Sequence, residues 1–294
     1  MFRSLVILLL VAGLGAQASP PVNDSKPFDP ASFIKVQAVP KKGVGAVAPV
    51  IEAQSALLMD MDTGILLAEK DPGRRMPMAS LTKIMTAIIV LESHKLSEVV
   101  VVEDNFNKVP EVGVRIWLQQ YERITVGDLL IGLLVPSAGD AALALAKYHS
   151  GTVEKFMEEM NAKAQALHLA NTSFMNPIGL DEEGHYSTAY DLAMLTRYAL
   201  RNPDFRRIVR MTDVTIFSTN GKISHKFKNT DELLGSYLDI QGVKTGTTDE
   251  AGQSVINLAR NGKGKEVLSV ILNSPNRFQE SKSLIDWSFR NYSW

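Results

Sequence analysis

The chain has 294 residues, 45% of them hydrophobic, which is enough for a sizeable core in one large domain or two small ones. Its 31 Lys and Arg nearly balance 32 Asp and Glu, giving a formal net charge of -1 and no global electrostatic case for nucleic acid or an anionic membrane as a partner. Cysteine is absent, which excludes disulfides, thiol catalysis, a lipid-modified cysteine and Cys-based metal sites together.

In chain order, Arg3, an apolar stretch from Leu5 to Leu14 and the small-x-small run Ala16-Gln17-Ala18 read as a secretory signal, residues 1–18, cleaved after Ala18. The apolar run falls well short of the ~20 residues needed to span a bilayer. An exported protein without a stable membrane anchor is expected, in the periplasm or the extracellular cell-wall space. Residues 19–50, rich in Pro, Ala, Val and Lys with no helical or strand period, read as a flexible leader.

From residue 51 to 294 a single domain is expected. "QSALLMDMDTGILLAEKD" reads as two short strands around an Asp62-Thr63-Gly64 turn. A helical block follows, with "TVGDLLIGLL", "DAALALAKY", "VEKFMEEMNAKAQAL" and "TAYDLAMLTRYAL" as its clearest pieces. Strand signals return in "DVTIFST", "DIQGVKTGTT", "QSVINLAR" and "EVLSVILN", and "SKSLIDWSFRNY" closes the chain as a helix. Strands at both ends bracketing helices predict an α+β fold: one antiparallel sheet built from both chain ends, flanked by helices, with an inserted helical subdomain over about 92–200.

Three short motifs carry candidate chemistry. The first is Ser80 and Lys83 in "MASLTKIMTAIIVLE", at the head of an apolar helix. The same Ser-x-x-Lys spacing occurs at Ser32 and Lys35 in "SFIK", where no apolar helix follows, so spacing alone decides nothing. What sets Lys83 apart is its place. A helix start favours an acid there, completing a capping box and complementing the dipole, and the helix is too apolar all round to leave the amine in water. Burial, or a second nearby cation, would lower the lysine pKa and leave a neutral amine able to accept the serine proton. The second motif, "PSAGDAALALA", reads locally as a capping box of Ser137 with Asp140. The third, Lys244-Thr245-Gly246, lies on a predicted strand, where the glycines at 242 and 246 allow a ligand or another backbone to come close.

Ser-x-x-Lys, a serine 57 residues later at a helix start, and Lys-Thr-Gly a further 107 residues on form an ordered set. That set, with "MASLTKIMTA", "NPIGLDEEGHYSTAYDLA" and "KTGTTDEAG", resembles the D-alanyl-D-alanine carboxypeptidases of the low-molecular-mass penicillin-binding protein family, over the region from about Ala53 to the C-terminus. The resemblance implies a penicillin-binding-protein/β-lactamase-like fold and an acyl-enzyme on Ser80, with Lys83 as its general base. It implies that Ser137 relays a proton to the leaving amine and that Lys244 supports that transfer and the substrate carboxylate. Thr245 and Thr247 would bind that carboxylate, the Thr247 backbone N–H joining that of Ser80 as the oxyanion hole. Peptidoglycan stem peptides are the implied substrates, β-lactam antibiotics the implied covalent inhibitors, and no cofactor or metal is implied.

One departure stands out. The family's second motif is usually Ser-x-Asn, and Gly139 occupies the Asn position. Either Asp140 or a water takes over the amide's role, or substrate positioning weakens. Gly139→Asn is then expected to leave acylation intact and alter deacylation or substrate preference. Three other readings stay open: a D,D-endopeptidase cutting cross-links, a serine β-lactamase, and a non-catalytic cell-wall or β-lactam sensor. No Glu-x-x-x-Asn spacing for a deacylating water lies between Ser137 and Lys244, and no Gly-x-Ser-x-Gly elbow exists. A metal site would have to use Glu182, Glu183 and His185, an acidic loop more simply read as solvated.

Overall fold

The computed structural model describes residues 39–109 and 112–294. The signal sequence, the start of the leader and the Ser32/Lys35 pair lie outside the described residues. The elements run β1 (Lys41–Lys42), β2 (Ser55–Asp60), β3 (Leu66–Lys70), α1 (Lys83–Ser93), β4 (Val99–Val101), β5 (Arg123–Thr125), α2 (Val126–Leu134), α3 (Gly139–Ser150), α4 (Val153–Ala166), α5 (Ala189–Ala199), α6 (Pro203–Val209), β6 (Asp213–Phe217), β7 (Ser224–Lys228), β8 (Asp239–Thr248), β9 (Gly252–Arg260), β10 (Glu266–Ser274), α7 (Arg277–Asn291) and β11 (Tyr292–Ser293).

The main sheet has the order β3-β2-β10-β9-β8, every neighbouring pair antiparallel. It therefore joins the two chain ends, with the helical block leaving after β3 and returning before β8. Successive residues on its strands enter different cores, as a period of two requires. On β2, Leu57 and Met59 face the larger core shared with α1, α2, α3 and α5, whereas Ala56 and Leu58 face a smaller one closed by Leu284, Ile285 and Trp287 of α7. The C-terminal helix thus spends its apolar side on the sheet. No helix among the described residues is long and apolar enough to cross a membrane.

Two features within and beside the helical block carry no clear period in the sequence. Val99–Val101 pairs with Arg123–Thr125, and "SHKFK" pairs as β7 with β6. Both are short exposed-edge ribbons whose alternation spans too few residues to register. Within the expected leader, Lys41 and Lys42 pair with β11.

Candidate active site

Ser80 sits in a single 3-10 turn, Ala79–Thr82, from which α1 continues at Lys83. Residues three apart eclipse in a 3-10 turn, so this geometry superposes Ser80 and Lys83 more directly than an α-helix would. Lys83 Nζ lies 2.9 Å from Ser80 Oγ and donates to the Ile178 carbonyl at 2.6 Å. Lys83 is 1% exposed in a helix buried from Lys83 through Val90. Burial, and then repulsion from Lys244, push its pKa well below the ordinary lysine value, against a smaller opposing pull from Asp140. No acid stands in the first turn and no side chain caps it.

Strand β8 forms the opposite wall. A Cβ on Gly246 would lie 3.1 Å from the Ser80 backbone nitrogen and 3.2 Å from the Met78 carbonyl, so the glycine lets the nucleophile turn rest against the strand backbone. Lys244 is 1% exposed and donates to the Thr245 carbonyl at 3.0 Å. Burial, helped by the charge of Arg277 and opposed by Asp231, lowers its pKa to about 7. Asp231 is itself pushed up to about 6 by burial while accepting from Asn257 Nδ2 at 2.6 Å. Thr245 Oγ1 lies 2.6 Å from Thr230 Oγ1. Thr247 is exposed, and its hydroxyl is 2.5 Å from Arg277 Nη1, which also donates to the Gly246 carbonyl at 2.9 Å.

Arg277 escaped sequence reasoning. It starts α7, thirty residues past Thr247, and resembles any basic residue near a helix end until the sheet brings it beside β8. Its Nε is buried without a hydrogen-bond partner.

The Ser137 corner differs from its sequence reading in two ways. Ser137 does not cap α3. The N-cap is Ala138, Ser137 stands at φ 70° in the left-handed region, and its Oγ is buried without a partner. Asp140 does not answer it either. Its carboxylate turns away to accept the backbone N–H groups of Ile116 and Leu118, each at 3.2 Å, and of Ala141 at 2.9 Å. The capping box is therefore wrong, because two backbone donors of a neighbouring loop, with the N–H of Ala141 in α3 itself, outcompete a single serine N–H for a buried carboxylate.

The same geometry removes Asp140 as a substitute for the missing amide at position 139. Its oxygens are committed, and it acts on Lys83 only through space. Gly139 itself donates to the Val114 carbonyl at 2.7 Å, and a Cβ there would lie 2.1 Å from the Val112 carbonyl and 3.2 Å from Ile178 Cγ2. The loop backbone has closed on the glycine, so an asparagine has no room without displacing Val112. His185 is equally committed: Nδ1 accepts from Met175 N–H at 3.0 Å and Nε2 lies 2.8 Å from Thr82 Oγ1. Neither nitrogen is left for a metal.

Comparison with known proteins shows the family. The family model described as D-alanyl-D-alanine carboxypeptidase matches residues 42–276. The chain is 35% identical over 250 residues to D-alanyl-D-alanine carboxypeptidase DacF of Bacillus subtilis, covering 82% of this chain and 63% of that protein. It is 33% identical over 276 residues to D-alanyl-D-alanine carboxypeptidase DacC of Escherichia coli, covering 90% and 66%. The chain thus spans somewhat under two thirds of the length of these curated relatives. Among solved structures, the Streptomyces K15 DD-transpeptidase superposes with a TM-score of 0.78 at 32% identity, over 83% of this chain and 99% of that one. By sequence, fold and the arrangement around Ser80, the chain belongs to the D-alanyl-D-alanine carboxypeptidase family of low-molecular-mass penicillin-binding proteins.

Proposed function

We propose that the protein is an exported serine D,D-carboxypeptidase that removes the terminal D-alanine of peptidoglycan stem peptides and is acylated by β-lactams. The observation that carries this reading is the buried Lys83 amine 2.9 Å from Ser80 Oγ. With the amine neutral, the serine hydroxyl donates to it, and its lone pair takes the proton as Oγ attacks the carbonyl carbon of the penultimate D-alanine. Backbone N–H groups of Ser80 and Thr247 hold the oxyanion, each such donor typically contributing about 2.7 to 4 kcal/mol to transition-state stabilisation. The C–N bond then breaks, the leaving D-alanine amine takes a proton through Ser137 and Lys244, and water hydrolyses the ester on Ser80.

Several groups support the substrate's C-terminal carboxylate in this reading. Thr245, Thr247 and the Lys244 ammonium stand on one strand, and Arg277 adds a guanidinium beside Thr247. A planar guanidinium suits a carboxylate better than a lone ammonium does. The test is mass spectrometry of defined peptidoglycan fragments incubated with the protein and with Ser80→Ala. Pentapeptides shortened by one D-alanine while cross-linked dimers survive are expected. Cut dimers would make it an endopeptidase, and fast repeated turnover of penicillin a β-lactamase.

A second reading has one observation in its favour: the match extends over 99% of the Streptomyces K15 DD-transpeptidase chain. In this reading an amine, not water, resolves the ester. Adding a D-amino acid acceptor to the same digest separates the two, because transfer yields an exchanged peptide of altered mass.

A further inference from the structure

Ala79, immediately before Ser80, holds φ 48°, a left-handed conformation that any residue with a Cβ disfavours. Such a turn persists only where its surroundings over-determine it. Two groups from the segment after α4 do so here. Gly179 approaches so closely that a Cβ on it would lie 1.9 Å from the Ala79 carbonyl oxygen. That carbonyl also accepts from Thr82 Oγ1 at 2.8 Å, and Thr82 Oγ1 lies 2.8 Å from His185 Nε2.

The direction of this chain is fixed by counting protons. His185 Nδ1 accepts from the Met175 backbone N–H at 3.0 Å, so a neutral ring carries its proton on Nε2. Nε2–H then donates to Thr82 Oγ1, leaving the only hydroxyl proton for the Ala79 carbonyl. Thr82, His185 and Ala79 are all buried, so no water competes. We infer that His185 is a positioning residue for the nucleophile: through Thr82 it holds the Ala79 peptide in the turn that aims Ser80 Oγ at Lys83 Nζ.

His185 touches neither substrate nor reacting atoms, and the inference rests on the proposed acylation of Ser80. The ring must stay neutral, since an imidazolium would set a second N–H against that of Met175. Burial holds its pKa down to about 4, against the pull of Glu182 and Asp181 on its own loop. The turn packed against it presents the Thr82 hydroxyl, and the titratable group there, Lys83, is directed instead to Ser80 Oγ and the Ile178 carbonyl. Phe174 meets the ring edge-on at 6.1 Å.

The test measures initial penicillin affinity and acylation rate separately for Thr82→Val, His185→Asn, His185→Gln and the Thr82→Val/His185→Asn double variant. Hydrogen exchange at Leu81 N–H, which bonds the Met78 carbonyl at 3.1 Å, reports on the turn independently of activity. Thr82→Val and His185→Asn should each slow acylation about tenfold or more, with initial affinity unchanged and Leu81 exchange faster. The double variant should be no slower than either single one. His185→Gln, whose amide still donates to Thr82, should recover most of the rate. Parental acylation in folded Thr82→Val, or equal rates for His185→Asn and His185→Gln, would overturn the inference. Should His185→Asn fail to fold, Thr82→Val, a hydroxyl-to-methyl exchange of the same shape, decides alone. Should the parent itself not be acylated, the functional proposal fails and Leu81 exchange in the variants decides the inference.

Discussion

The nucleophile turn and the Ser137 corner sit on neighbouring elements yet differ in how far they obey the family pattern. At Ser80 a 3-10 turn aligns the pair, burial pushes the Lys83 pKa well below the ordinary lysine value, and Gly246 admits the turn against β8. At Ser137 glycine stands where the family usually has asparagine, the serine is at φ 70° with an unpaired hydroxyl, and the backbone of the 112–118 loop lies directly against Gly139. The Ser80–Lys83 pair is set by one local turn that distant groups, Ile178, Gly179, His185 and Gly246, hold in place, whereas the Ser137 corner leans on a loop whose own anchor is Asp140.

Breaking the first region should have the largest effects. Ser80→Ala should abolish the penicilloyl adduct altogether, and Lys83→Met should slow acylation by about 10²- to 10⁴-fold, the usual contribution of a general base, read by stopped-flow with penicillin. Lys244→Met should stop peptide turnover yet stabilise the fold. Its folded pKa of about 7 lies below the unfolded value, so the unfolded state binds more protons between about pH 7 and 10.4. Lys244 therefore costs stability below pH 7, and the cost is relieved as pH rises through that window. Replacing it with an apolar side chain should raise stability near pH 6 by about 1 to 4 kcal/mol and flatten the alkaline slope, as denaturant titrations at several pH values would report.

The second region should respond to volume before chemistry. Gly139→Asn and Gly139→Ala both place a Cβ against the Val112 carbonyl, and each should cost about 1 to 3 kcal/mol of stability by overpacking. Equal kinetic changes in the two variants would show that the loop, not the lost amide, governs this corner; a gain of turnover confined to Asn would show the reverse. The smallest effect expected is that of Arg277→Leu, a rise of about tenfold in KM for peptides with a free terminal carboxylate, from losing a charge-assisted hydrogen bond. A C-terminally amidated peptide, already lacking that charge, should show no such rise.

Much of the candidate site was legible because it departs from helix rules within a few residues: a lysine at the apolar start of α1 is anomalous in sequence and, in the structure, lies buried 2.9 Å from Ser80 Oγ. The sheet was legible from apolar strand signals at both chain ends, two short ones before the helical block and longer ones after it. What stayed hidden depends on contacts far apart in the chain. Asp140 binds amides 22 and 24 residues upstream, which no capping rule foresees, and Arg277 meets Thr247 only because α7 begins beside β8. His94 and His149, which share no ligand spacing, lie 2.9 Å apart between Glu98 and Glu159, joining the ends of α1 and α3 to α4.

The most direct test of the acylating centre is the mass of the intact protein after brief exposure to penicillin, followed by peptide mapping. One penicilloyl increment per chain is expected, carried by the peptide containing Ser80 and absent from Ser80→Ala and, on the same timescale, from Lys83→Met. An adduct on any other residue, or full acylation of Lys83→Met at the parental rate, would contradict it.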